Sequence, residues 1–529
     1  MEFNLADIFE SVVDVVGERE ALVCGDRRLS YAQLDARANR LAHHLIAAGI
    51  RPGEHVGVQL YNGPEYVETM IACLKVRAVP INVNYRYVED ELAHLFTDAD
   101  LVALVHDVEF SARVRAVAPS VATLRQMLEV GSSRADGYEP ALAAQSERRD
   151  FPARSGDDLY VIYTGGTTGM PKGVMWRQED IFFAGMGGGE PVGTPVSRAE
   201  EVAERASGRG RLVMFPVAPL MHGAAQLATW IGFLQAATVV LVRKYDPVDV
   251  LRTIERERAN SLSIVGDAMA RPLVEALAGP LAGTDVSSVL VVSSAGAILS
   301  ESVRSRLQQL MPTTLLLDNF GASETGFQGT GTAGSSPDTG LRFALNERTA
   351  VLDDQLRRVL PGSGVIGRVA QRHRVPLGYY KDPVKTAESF VTIDDERWVL
   401  LGDMATVEAD GTIAVLGRGA VCVNTGGEKV YPEEVEAVLK GHPAVYDVVV
   451  AGIPDLRYGQ RVAAVVELRP DTPAPSLADL EDYCRTRLAR YKLPRAVVFV
   501  DRIRRSPSGK ADYPWASRVA RDGSTAGVG

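Results

Sequence analysis

Eleven residues, Tyr163 to Gly173, hold the densest chemistry in the chain: YTGGTTGMPKG. Four glycines, three threonines and one lysine stand together there. Glycine lets the main chain take positive φ and approach a ligand with no Cβ in the way. Threonine hydroxyls and successive backbone N–H groups are donors, and a chain bent in this manner forms a concave anion site. Lys172 adds a point charge on a flexible stem. Just before the loop, Leu159, Tyr160, Val161 and Ile162 make an apolar, β-prone run that ends at Thr164. The functional reading is a phosphate-holding loop after a strand; the bland one is a surface Gly/Thr/Pro connection. The loop is not of the Walker A type, G-x-x-x-x-G-K-[ST] opening a helix, because Pro171 precedes Lys172 and Gly173 stands where Ser or Thr is required.

The order of glycine, threonine, proline and lysine here resembles the signature of the adenylate-forming superfamily: acyl-CoA synthetases, luciferases and non-ribosomal peptide adenylation domains. The resemblance implies that Thr164, Gly165, Gly166, Thr167, Thr168, Gly169 and Lys172 hold the β- and γ-phosphates of ATP. Phe320-Gly321-Ala322-Ser323-Glu324 resembles the family's aromatic–Gly–x–Ser/Thr–Glu segment, with Asn319 directly before it. In that role Phe320 stacks on adenine, Ser323 donates to the α-phosphate and Glu324 holds Mg²⁺. A carboxylate suits a hard cation beside phosphates. Ser294-Ala295-Gly296-Ala297 resembles the small-residue segment along which the adenine lies. Gly402-Asp403 resembles the Thr-Gly-Asp element whose aspartate accepts from both ribose hydroxyls; Leu401 replaces the usual threonine, so only Asp403 is carried over.

Gly417-Arg418-Gly419, then Gly426-Gly427-Glu428 and Tyr431–Glu436, match the inter-domain region of the family. There Arg418 contacts ribose or phosphate, and Gly427 lines the pantetheine tunnel of CoA. Ser506-Pro507-Ser508-Gly509-Lys510 matches the C-terminal lysine loop. An isolated lysine is ordinarily a solvated surface group, but in this context Lys510 brings positive charge to the carboxylate and α-phosphate oxygens in the transition state. Pro219-Leu220-Met221-His222-Gly223 resembles the substrate gate, where His222 touches the acyl carboxylate or its first carbons; a packed core histidine is an equal alternative. Thr229, Trp230, Phe233, Asp267, Ala268 and Met269 fall where the likeness puts the acyl-pocket walls.

Within the superfamily the chain resembles actinobacterial acyl-CoA synthetases that activate fatty and steroid side-chain carboxylates. Gly266–Val274, Gly417–Glu436 and Arg505–Tyr513 carry that likeness, which covers residues 5–516. Gly223, Ala224, Ala225 and Ala228 leave room for a wide ligand or allow close helix packing. One position departs from pattern. Two residues after Arg418, many relatives have a charged hinge residue and this chain has Ala420, which predicts an altered balance between adenylation and thioester-forming poses.

The elements that must position these residues follow a βα rhythm. Ala21–Cys24 and Arg28–Leu29 flank Gly25-Asp26 as a hairpin. Ser30 with Gln33 makes a capping box, and Leu34, Ala38, Leu41 and Leu45 recur at helical spacing. Short apolar strands and amphipathic helices then alternate to about Leu317, which indicates parallel α/β layers. Gly185–Gly210, rich in glycine and charge, reads as an exposed excursion. Beyond Gly329 glycine-punctuated strands suggest a small β-barrel or β-subdomain to about Gly417. The fold expected is α/β: a large N-terminal domain (1–419) of two layered subdomains plus the small barrel, a mobile α+β C-terminal domain (420–520), and a disordered tail (521–529).

With 529 residues, 46% hydrophobic and 23% charged, the chain is too long for one ordinary core and has the composition of a globular protein. A net charge of −10 argues against nucleic acid as the main partner. The four cysteines are far apart, which favours free thiols and speaks against zinc. The acidic N-terminus lacks a leader pattern, and no apolar run is long enough to span a membrane, so a cytoplasmic location is expected.

The resemblance implies an ATP-, Mg²⁺- and CoA-dependent acid–thiol ligase for a bulky hydrophobic carboxylate (steroid, terpenoid or long-chain acid). Two alternatives stay open: an adenylating enzyme that hands its acyl group to a carrier protein or partner acyltransferase, and a non-catalytic nucleotide-binding protein. A homodimer is compatible with the sequence.

Overall fold

Asn4 starts the first helix, Leu5–Val16, by accepting from the backbone N–H groups of Ala6 and Asp7. Leu5, Ile8, Phe9, Val12 and Val16 fall on one buried face of it. Opposite that face lies the helix Glu200–Ser207, which buries Val202, Ala203 and Ala206. The stretch 185–210 is therefore an exposed excursion only in part, chiefly at 191–195. Its glycines and charges conceal a short amphipathic segment whose apolar side, continued by Val196 and Ala199, seals the core over the first helix. The computed structural model describes residues 1–164, 171–297, 299–332, 341–425, 428–455, 458–485, 487–505 and 510–525.

The hairpin Glu20–Cys24 with Arg27–Ser30 and the Ser30/Gln33 capping box both form as the sequence suggests. A four-stranded parallel sheet follows, in the order Val79–Asn82, His55–Gln59, Leu101–Asp107, Gln126–Val130. A second sheet, of fourteen strands among the described residues, is the backbone of the large lobe. Six of its neighbours run parallel: Glu20–Cys24, Thr238–Leu241, Val213–Pro216, Ser261–Ile264, Val291–Ala295 and Leu315–Ala322. From there the path turns antiparallel through Gly326–Thr332, Leu341–Leu345, Ile413–Arg418, Glu396–Val407, Gly367–Arg372 and Thr349–Leu352. The segment expected as a small barrel is thus hydrogen-bonded edge-on to the parallel strands. A third sheet holds Leu159–Thr164 and Lys172–Arg177 as an antiparallel pair, with Gly378–Tyr379 on its edge.

The strand ending at Arg418 belongs to the large sheet, and the strand beginning at Val423 belongs to a separate five-stranded one. The smaller sheet centres on the long antiparallel pair Val445–Asp455 and Gly459–Leu468. Its faces carry two apolar clusters: Val435, Leu439 and Leu480 on one, Ala516 and Ala520 of the last helix on the other. That last helix, Tyr513–Thr525, extends into the stretch expected as a disordered tail; only 526–529 lie outside the described residues. No helix among the described residues is long and apolar enough to cross a membrane.

Candidate active site

The carboxyl ends of parallel strands form the crevice where ligands bind in open α/β sheets. Four adjacent strands of the large sheet place motif residues there in spatial order. Val213–Pro216 leads to the 217–222 segment, Ser261–Ile264 to Gly266–Met269, Val291–Ala295 to Gly296 and Ala297, and Leu315–Ala322 ends with Asn319, Phe320 and Gly321. Ala295 is the register partner of Asn319, so the two proposed adenine segments are side by side. Gly296 has φ +78°, and among the described residues no atom comes within 4 Å of where its Cβ would stand. Asn319 is fixed by its neighbours: its amide donates to Ser293 Oγ at 2.7 Å and its carbonyl accepts from Thr330 Oγ1 at 3.2 Å.

Thr164 and Lys172 are register partners in the antiparallel pair, so the two ends of the expected phosphate loop belong to neighbouring strands. Gly165, Gly166, Thr167, Thr168 and Gly169 themselves lie outside the described residues. The Lys172 ammonium pairs with Asp382 at 2.5 Å. Asp382 also caps the helix Pro383–Ser389, and the hydrogen bond from Lys172 holds its carboxyl below the usual range.

The same hairpin fixes the Ser323–Glu324 turn. Trp176 Nε1 donates to the Ser323 carbonyl at 2.8 Å, and the Tyr379 hydroxyl donates to Glu324 Oε1 at 2.9 Å. Tyr379 is itself paired to Val174, two residues along from Lys172. Gly321 is required where it stands, because a Cβ there would lie 2.1 Å from the Gly326 carbonyl oxygen across the strand pair. Phe320 packs on Phe343, ring centroids 5.1 Å apart, and stays half-buried.

Asp403 and Arg418 face each other in register near the end of the large sheet. The side chains of Arg418 and Ala420, together with Gly427 and 506–509, are outside the description. Leu401, the departure from pattern, is 8% exposed and serves packing. Lys510 directly precedes Ala511, which bridges to Arg505 in the small lobe.

His222 lines a cavity of about 2070 Å³ between the lobes, together with Tyr245, Asp267, Ala268 and Met269 of the large lobe and Tyr446 of the small one. Three of the six residues expected at the acyl wall, Asp267, Ala268 and Met269, thus line this cavity. Trp230 and Phe233 are not part of it. Both are buried against Phe9, edge to face, and belong to the core under the first helix. Thr229 is fully buried, its hydroxyl without a hydrogen-bond partner among the described residues. Two of the small residues opening this helix pack closely: a Cβ on Gly223 would meet Ile162 at 2.9 Å, and Ala225 is 2% exposed, whereas Ala224 is exposed.

Asp267 is a lobe contact. Its carboxylate accepts from Ser300 N–H at 2.8 Å, lies 3.4 Å from Arg271, and is 3.4 Å from Lys440 of the small lobe. Lys440 in turn stands 3.6 Å from Asp447, which is bound by Arg505 at 2.6 Å. Sequence reasoning missed Lys440, Tyr379 and Asn82. Only Asn82 left a signal, as an amide closing the apolar run Val79–Asn82.

Residues 9–380 match the model of the AMP-binding enzyme family, and 434–510 that of the AMP-binding enzyme C-terminal domain. The chain belongs to the AMP-binding enzyme family. A medium/long-chain-fatty-acid–CoA/3-oxocholest-4-en-26-oate–CoA ligase of Mycobacterium tuberculosis is 46% identical over 526 residues, covering 97% of this chain and 95% of the relative. A 3-oxocholest-4-en-26-oate–CoA ligase of Rhodococcus rhodochrous is 45% identical, covering 98% and 96%. Among solved structures, an anthranilate CoA ligase in complex with anthranoyl-AMP superposes with a TM-score of 0.85 at 23% identity over 99% of this chain and 98% of that one. In this family member the two lobes meet at the cavity that His222 lines.

Proposed function

We propose that the chain is an ATP-dependent acyl-CoA ligase for bulky hydrophobic carboxylates, long-chain or steroidal. The observation that carries this is the spatial order at the carboxyl edge: gate segment, cavity wall, adenine segment, then the Lys172 hairpin bonded to the Ser323–Glu324 turn. The named activities of the relatives at 45–46% identity support it. The substrate carboxylate attacks the α-phosphorus of ATP and expels pyrophosphate. The CoA thiol then attacks the acyl carbon, and AMP leaves. A good leaving group makes an enzyme nucleophile unnecessary.

Lys172 and the hairpin tip steady the outer phosphates, Asp403 the ribose, and Lys510 neutralises charge at the reacting centre. Glu324 fits Mg²⁺, since a half-buried carboxylate oriented by the Tyr379 hydroxyl is a hard oxygen ligand beside the phosphate loop. Bound there, Mg²⁺ would neutralise phosphate charge. The cavity of about 2070 Å³ has room for a polycyclic acid.

The test is pyrophosphate release across fatty, steroid and diterpenoid acids, with and without CoA, in the intact protein and in Lys510→Ala. The reading expects release with a long-chain or steroid acid, CoA-thioester as product, and a loss on the order of 10²–10³ in the variant. No pyrophosphate–ATP exchange with any of these acids would end it. Acyl-adenylate that CoA does not consume would transfer the second step to a carrier or partner enzyme.

A further inference from the structure

Asn82 closes the strand Val79–Asn82 and is 5% exposed. Its amide is fully used. Nδ2 donates to the Tyr163 carbonyl and to the Met221 carbonyl, both at 2.7 Å, and Oδ1 accepts from Tyr163 N–H at 2.8 Å. Tyr163 is the residue before Thr164, where the phosphate hairpin begins to turn, and Met221 is the residue before His222. One rigid planar group thus holds the root of the nucleotide loop and the root of the acid gate. Neither main chain can shift without breaking a short buried bond, and a buried carbonyl left without its donor is costly.

Two nearby amides frame this role. Gln226 joins the same two segments farther back, donating to the Leu220 carbonyl and accepting from the Tyr160 hydroxyl. Asn62 holds only the gate, donating to the Ala218 carbonyl at 3.2 Å and accepting from Leu220 N–H at 2.7 Å.

We propose that Asn82 is a positioning residue that couples the two substrate sites, so that seating of the phosphates on the hairpin sets the placement of His222 toward the acid, and the reverse. The inference rests on the ligase reading above. Coupling of this kind is reciprocal and typically about 5- to 150-fold. The experiment measures the Kd of α,β-methylene-ATP with Mg²⁺, with and without saturating dodecanoate, by titration calorimetry of the full chain.

The wild type should show a change of about fivefold or more. In Asn82→Asp, which keeps the acceptor and loses both donors, the coupling should fall well below the wild-type factor, Gln226 still joining the segments farther back. Asn82→Ser, too short to reach both carbonyls, should behave likewise and serves if the aspartate variant does not fold. Asn62→Asp removes a comparable bond from the same gate segment without touching Tyr163, and should keep the coupling. Independent binding in the wild type, coupling undiminished in the Asn82 variants, or equal loss in Asn62→Asp would each overturn the assignment. A wild type that binds neither ligand would instead end the ligase reading itself.

Discussion

Lys440→Met tests whether the contact between the lobes governs which half-reaction the enzyme is poised for. Lys440 follows the helix Pro432–Leu439 of the small lobe, and its side chain is 4% exposed. It stands between Asp267 of the large lobe at 3.4 Å and Asp447 of its own lobe at 3.6 Å. At an effective dielectric of about 20, a unit pair at that distance attracts by roughly 5 kcal/mol, which the desolvation of both ions largely offsets. Breaking a buried pair costs about 3–5 kcal/mol when the remaining charge is left alone.

Neither carboxylate is left alone here. Asp267 keeps Arg271 and the Ser300 N–H, and Asp447 keeps Arg505. The penalty should sit below that range, and its cross-lobe share should be about 1–2 kcal/mol, or about 5- to 30-fold in the balance between this pose and any other. Methionine preserves the apolar stem, so packing is retained. Rapid quench resolves acyl-adenylate formation without CoA from thioester formation after CoA is added to preformed adenylate. The expected result is a change of about 5- to 30-fold in one half-reaction relative to the other. Equal rates in the variant, or both half-reactions falling by the same factor, would refute the idea that this pair selects the pose.

Tyr379→Phe removes the hydroxyl that orients Glu324, a bond to a charged acceptor worth about 1.5–3 kcal/mol. The Mg²⁺ concentration for half-maximal pyrophosphate release should rise about tenfold or more, with KM for CoA unmoved. Gly321→Ala must part the strand pair at Gly326, so denaturant unfolding should show a loss of about 1–3 kcal/mol together with reduced pyrophosphate release. For Asp447, burial pushes the carboxyl up, but Lys440 and Arg505 beside it outweigh burial and hold it below its ordinary value. A depressed folded pKa gives stability that is present above the unfolded value of about 3.9 and lost as pH falls through the folded one. Thermal melts below about pH 4 should therefore fall less steeply in Asp447→Asn than in the wild type.

What was legible in the sequence and what was not divide along the range of the interaction involved. The Ser30/Gln33 capping box spans four residues, and the apolar run ending at Thr164 spans six, so a local pattern suffices to place both. The Gly185–Gly210 stretch fails locally because its apolar residues are diluted by glycine, and the face they cover belongs to a helix far earlier in the chain. The likeness puts Trp230 and Phe233 at the acyl wall, but both turn toward Phe9; their helix is apolar nearly all round, so periodicity does not tell the core side from a ligand side.

The same reasoning explains why motif residues could be named while their supports could not. The Tyr379–Glu324 bond joins positions 55 apart, and the two bonds donated by Asn82 join positions 81 and 139 apart. A nucleotide-binding motif is compact because a phosphate is small and a few successive donors surround it. Holding that motif in register with the proposed acid site and a second lobe needs contacts between layers that meet only after folding. The selectivity and timing of this enzyme should accordingly respond to substitutions such as Asn82→Asp and Lys440→Met, which touch no reacting atom, and its basic chemistry to those in the motifs.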